Sequence, residues 1–173
     1  MASRYQRARH SIVSQVSFSP RNPQTQHQLM RQCLDLAKQA PATGDVPVGA
    51  VVLSADGVVL GAGHNPRERD SDPSGHAELN ALRAAAKAMG SWRLDGCSLV
   101  VTLEPCIMCA GAISQSRIAT VIFGAWDKKA GGAGSVFDVL REPRLNHWVE
   151  IQPGVRSDEC GALLKTFFAE HRH

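Results

Sequence analysis

Ser98 to Phe123 runs SLVVTLEPCIMCAGAISQSRIATVIF. Ser98–Leu103 is short and apolar, the pattern of a strand buried on both faces. Pro105 suits the first turn of a helix that continues to about Ser116, and Thr120–Phe123 reads as a second buried strand. Strand, helix and strand in this order require a crossover that leaves the two strands parallel. This unit sets the chain in the α/β class, with helices laid against sheet faces.

The rest of the chain extends that unit in both directions. Ala77–Met89 is alanine-rich and helical, stopped by Gly90. Val46–Leu53 is rich in β-branched residues, Ala55-Asp56-Gly57 is a tight turn, and Val58–Ala62 returns as the paired strand. Residues 63–74 form a loop with two prolines, Pro66 and Pro73. Gln28–Ala40 carries apolar residues at helical spacing and is ended by Pro41 and Gly44. Beyond the central unit come a glycine-rich loop at 124–134, a short helix at 136–141 and a strand at Trp148–Ile151. Asp158–Glu170 closes the chain as an amphipathic helix with Leu163, Leu164, Phe167 and Phe168 on its apolar side. The expected fold is a mixed five-stranded sheet with helices on both faces, forming one domain over residues 27–173.

Residues 1–26 are rich in Arg, Gln and Ser and read as a basic, disordered tail. A transit peptide, or a start codon assigned too far upstream, has the same composition. Of the 173 residues, 43% are hydrophobic, as expected of a globular chain. No apolar run approaches the roughly 18 residues of a membrane span, and the opening residues lack the apolar core of a secretory signal. The cytoplasm is therefore the expected compartment. Five cysteines, an odd number, argue against a disulfide framework. Cys33, Cys97 and Cys160 read as small buried apolar groups. The net charge is +3, but residues 1–34 hold five arginines and no acid. Removing those five from 19 basic residues leaves 14 against 16 acidic ones, a net of −2. The body is not broadly basic, so any nucleic-acid contact must be local.

Two short stretches carry the chemistry: His76-Ala77-Glu78, and Pro105-Cys106-Ile107-Met108-Cys109. Each follows a loop and opens a helix. A catalytic zinc takes three protein ligands and leaves one position for water. Cys106 and Cys109, three apart on a helix, face the same side, and the first turn of a helix favours thiolates. His76 supplies the third ligand. Glu78, two residues on, reaches the water rather than the metal and serves as general acid and base. Two other arrangements use the same residues. A structural zinc site would need a fourth ligand such as His64 or Cys160, and a redox Cys-x-x-Cys pair would leave His-x-Glu without a purpose. The paired signature is the one that marks zinc nucleobase deaminases.

With these motifs the chain resembles the cytidine deaminase superfamily and, within it, the bacterial tRNA-specific adenosine deaminases. The similarity spans residues 27–170. It includes Pro47-Val48-Gly49-Ala50, the two zinc motifs, Ser116-Arg117-Ile118, Phe123-Gly124-Ala125, Gly134-Ser135, Asn146-His147 and Asp158-Glu159-Cys160. The zinc motifs are common to the superfamily, so the carboxyl-terminal matches narrow the resemblance. It implies a three-layer α/β/α fold, a homodimer and one zinc per subunit. It further implies hydrolytic conversion of adenosine to inosine at the wobble position, 34, of an arginine tRNA, bound through its anticodon arm. His76, Cys106 and Cys109 would hold zinc, and Glu78 would shuttle protons. Asn65 would touch the flipped base, the Ala77 amide would help hold it, and Asp127 would sit near the ribose.

An Asn offers the donor and acceptor that a purine edge needs, although Asn65-Pro66 is also an ordinary turn. Asp127 taken alone also reads as a solvated loop carboxylate. Arg117, Lys128, Lys129, Arg141, Arg144 and Lys165 are candidates for phosphate contact. Phe167-Phe168 is suited to the core, or to stacking on RNA or on a partner subunit. Trp126 stands where many members of the family carry a basic residue. The alternative activity is deamination of a free base or nucleoside such as guanine or cytosine, which uses the same zinc motifs.

Overall fold

The computed structural model describes residues 18–171. Helix α1 (Pro23–Ala37) is followed by the hairpin of β1 (Gly49–Leu53) and β2 (Val59–His64), then by a single turn, α2 (Arg67–Asp70), and helix α3 (Ala77–Met89). Next come β3 (Ser98–Leu103), α4 (Ile107–Gln115), β4 (Thr120–Ala125), the short β5 (Glu150–Gln152) and α5 (Ser157–Glu170). The sheet order is β2-β1-β3-β4-β5. β1 is antiparallel to both β2 and β3, while β3, β4 and β5 are mutually parallel. This is the mixed five-stranded sheet expected from the sequence.

Alternation along the strands divides the core between the two faces of the sheet. Ala50, Val52, Leu99, Val101, Val121 and Phe123 pack with α3 and α4. Val51, Leu53, Val100 and Ile122 face the other way, onto Leu29, Met30 and Cys33 of α1 and Cys160 of α5. The result is an α/β/α sandwich. Cys33, Cys97 and Cys160 are all buried and unbridged, in line with their reading as core residues. Among the described residues no helix is long and apolar enough to cross a membrane.

α3 and β3 have the bounds that the sequence assigned. α1 begins at Pro23, not Gln28, because Asn22 caps it by accepting the N–H groups of Gln24 and Thr25 and Pro23 occupies the first turn. Residues 23–26 thus belong to the helix and not to the tail, and residues 1–17 lie outside the described region. α4 starts at Ile107 with Cys106 as its N-cap, two residues later than expected. The helix expected at 136–141 is only a 3₁₀ turn at Val139–Arg141. The loop after β2 holds the extra turn α2, and β2 itself runs on to His64.

The carboxyl ends of β2, β3 and β4 open on one edge of the sheet, where the loops that follow them meet the starts of α3 and α4. Glycine sets how closely α3 lies on β2. A Cβ at Gly63 would come within 2.7 Å of the Ala77 carbonyl oxygen and 2.8 Å of the Asn80 Cβ. Gly63→Ala is therefore expected to push the start of α3 outward and lower stability by about 1–3 kcal/mol. A fall in the urea midpoint together with reduced zinc content would bear this out, and an unchanged midpoint would refute it.

Candidate active site

His76 is the N-cap of α3 and Cys106 the N-cap of α4, both with extended backbone. Cys109 lies in the first turn of α4. The His76 Nδ1 atom is 3.7 Å from the Cys106 Sγ and 3.4 Å from the Cys109 Sγ, and the three donor atoms lie within 4.8 Å of one another. A tetrahedral zinc with Zn–N near 2.0 Å and Zn–S near 2.3 Å places nitrogen and sulfur about 3.6 Å apart. Both nitrogen–sulfur separations are close to that value, so the cluster suits zinc. Among the described residues it gains no fourth protein donor. His64 is on β2, and Cys160 is buried on the opposite face of the sheet, so the structural-zinc arrangement lacks its fourth ligand.

The electrostatics favour a cation here. Hydrogen bonding from Cys109, then from His76, draws the Cys106 thiol down to about 4. The same sharing, together with burial, pushes the Cys109 thiol up. Contact with Cys106 raises the His76 imidazole. Glu78 is buried beside this cluster, and burial lifts its carboxyl to about 7. A carboxyl balanced near neutrality can both accept and donate a proton.

His76, Glu78 and Cys106 open into a cavity of about 810 Å³, whose walls also include Asn65, Asp127, Lys128 and Lys129. Ala77 is not among the lining residues. It is fully buried, and its N–H is donated to the Asn65 Oδ1 at 2.9 Å. The amide expected to hold a base is thus committed to Asn65, because the start of a helix must satisfy its free N–H groups. Asp127 is half-buried, and its Oδ1 accepts the N–H groups of Lys129 and Ala130. Phe167 is buried and stacks on His171, whereas Phe168 is exposed at the cavity wall.

The phosphate candidates do not cluster. Lys128 and Lys129 line the cavity. Arg141 pairs with Asp138 and Arg144 with Glu142, and Arg117 donates to Asn146 at 2.7 Å.

Two buried carboxylates, unassigned from the sequence, hold the cavity walls. Glu104, 1% exposed, accepts N–H groups from Asp127 (2.9 Å), Ala133 (3.0 Å) and Ser135 (2.9 Å), and also the Ser135 hydroxyl. Gly131 lies against it, where a Cβ would come within 2.3 Å of the Glu104 Oε2. Asp45, also 1% exposed, accepts the N–H groups of Glu68 (2.6 Å) and Arg69 (3.2 Å) and the Thr43 hydroxyl (2.8 Å). The available signal was Glu104 between an apolar strand and Pro105, a charge placed where the chain enters the core.

Residues 23–125 match the cytidine and deoxycytidylate deaminase zinc-binding region. The tRNA-specific adenosine deaminase of Bacillus subtilis is 45% identical over 86% of this chain and 92% of its own length. This chain belongs to the tRNA-specific adenosine deaminase family. It is a zinc-dependent deaminase, and its His/Cys/Cys cluster is consistent with one zinc per subunit. A solved structure from work on A-to-I editing by tRNA:A34 deaminases is 36% identical, with a TM-score of 0.76 over 79% of this chain and 99% of that one. A guanine deaminase from Bacillus subtilis is 32% identical, with a TM-score of 0.56 over 71% of this chain and 81% of that one.

Glu104→Gln would turn an amide NH₂ toward groups that are themselves donors. It is expected to cost about 1–3 kcal/mol through unpaired N–H groups. It should also make residues 127–135 a site of limited proteolysis while zinc remains bound. Cleavage indistinguishable from the unaltered protein would show that the loop does not depend on Glu104.

Proposed function

We propose that this deaminase converts adenosine to inosine in tRNA, at wobble position 34 of an arginine tRNA, and binds the anticodon arm. The observation that carries the reading is the buried Glu78 beside the His76, Cys106 and Cys109 cluster, in a cavity with two lysines, Lys128 and Lys129, in its wall. The relatives named for this activity support it, since one of them matches over 92% of its own length.

His76, Cys106 and Cys109 hold the zinc, and their two thiolates balance its charge. When bound, zinc supplies Lewis-acid activation of the attacking water. Glu78 takes the proton that the water sheds and gives it to the purine ring nitrogen N1. It then takes the proton of the hydroxyl formed at C6 and delivers it to the departing amino group, so that adenosine and water become inosine and ammonia. Burial suits Glu78 to this work, because a carboxyl near 7 is present in both forms at neutral pH. With its Oδ1 fixed by the Ala77 N–H, Asn65 has its NH₂ group left to meet a ring acceptor. Ala77 therefore acts through Asn65. Asp127, its loop braced by Glu104, contacts the ribose and favours RNA. The target base must be splayed out of its loop to enter, and the lysines receive the flanking backbone.

Exposed Ile107 and Met108 on α4, with exposed Val136 and Phe137 on the loop packed against it, support a homodimer. A cytoplasmic location accords with a tRNA substrate. The guanine deaminase neighbour keeps a free base as the alternative substrate. The deciding assay offers the protein an anticodon stem-loop with adenosine, free guanine and free cytidine. Inosine in the RNA alone is the expected outcome, and ammonia from guanine alone would overturn it. Glu78→Ala is expected to retain zinc and lose turnover by at least about a hundredfold; near-normal turnover in that variant would remove Glu78 from its role. Dialysis against a strong chelator is expected to abolish activity, with recovery when zinc is restored.

A further inference from the structure

The loop after β4 exposes a large aromatic ring beside the active-site cavity. Trp126 is 44% exposed, yet its indole is held from several sides. The buried Phe123 ring meets it edge-on, with centroids 4.8 Å apart and planes at 86°. Its six-membered ring lies over Gly134, where a Cβ would stand 3.5 Å from Cζ3. The backbone of the next residue is fixed by the bond from the Asp127 N–H to Glu104. An exposed but immobilised indole is the arrangement that stacking requires, since little freedom remains to be lost on binding.

The indole forms a ridge between two concavities. One is the catalytic cavity. The other, of about 380 Å³, is bounded by Trp126, Ser157, Asp158, Gly161 and Lys165. Gly161 leaves its floor open, because a Cβ there would meet nothing within 4 Å.

We propose that this second concavity binds a nucleotide adjoining the target adenosine, with Trp126 as the platform on which its base stacks and Lys165 as its phosphate contact. The inference rests on the RNA reading given above. Flipping one base into the cavity deprives its neighbours of stacking, and an aromatic face restores part of that loss for any base. The Asp158 carboxylate accepts from an exocyclic amine or a ribose hydroxyl. A free base has no neighbour in a strand, so the ridge and the second concavity gain a purpose only with a polymer substrate.

The test uses the zinc-loaded protein and anticodon stem-loops carrying the target adenosine, with inosine formation as the readout. Trp126→Ala is expected to raise KM about tenfold or more, with a smaller change in kcat, while Trp126→Phe recovers most of the loss. An abasic residue at one of the two positions flanking the target should impose a similar penalty on the unaltered protein and little further penalty on Trp126→Ala. Penalties that multiply at both flanking positions would overturn the assignment. So would a fall in kcat at constant KM. Absence of inosine with the unaltered protein would instead overturn the RNA reading itself, so the two failures are told apart.

Discussion

The site depends on the convergence of two helix starts. His76 and Cys106 are separated by 30 residues, yet each is the N-cap of its helix, and their donor atoms lie 3.7 Å apart. A helix start offers free N–H groups and the positive end of the dipole, which favour thiolate and carboxylate groups. Cys106, Cys109 and Glu78 all sit at such helix starts. The antiparallel β1 between them brings the turns together, because β2 and β3 both run against it and deliver their carboxyl ends to the same edge. Small residues on the strands then let the helices lie close enough for nitrogen and sulfur to share one cation.

Charge is placed inside this protein for two different purposes. Glu104 and Asp45 are buried and saturated with backbone donors. A carboxylate in that position serves as a fastener, since three or more N–H and O–H donors converge on two oxygens and leave the loop no competing arrangement. Glu104 holds the loop of Trp126 and Asp127, and Asp45 holds the short helix α2. Glu78 is buried without such a set of donors, and burial lifts it to about 7. Converging donors hold Glu104 and Asp45 in place, whereas burial readies Glu78 to exchange protons.

Misread boundaries have local causes. The start of α1 is written in the sequence as Asn22-Pro23, a cap followed by a first-turn proline, within a stretch whose polar composition matches a tail. The expected helix at 136–141 shrank to a 3₁₀ turn because the backbone from Gly131 to Val139 is engaged in crossing hydrogen bonds, among them those from Val136 and Phe137 to the Gly131 carbonyl. The sequence pattern places Phe168 on the apolar side of the last helix beside Phe167. Neighbours on a helix point about 100° apart, and only Phe167 reaches the core.

By itself the sequence determined the α/β class, the strand–helix–strand unit, the two zinc motifs and the family resemblance, because each is written in residues close together along the chain. Periodicity and helix starts are local properties, and a ligand motif declares its chemistry through residue type and spacing. Tertiary structure alone decided that Cys160 lies on the far face of the sheet, that the Ala77 amide is spent on Asn65, and that Glu104 and Asp45 are the fasteners of the cavity. It also placed Trp126 between two concavities. Those facts join residues tens of positions apart, and only the folded chain fixes which donor meets which acceptor.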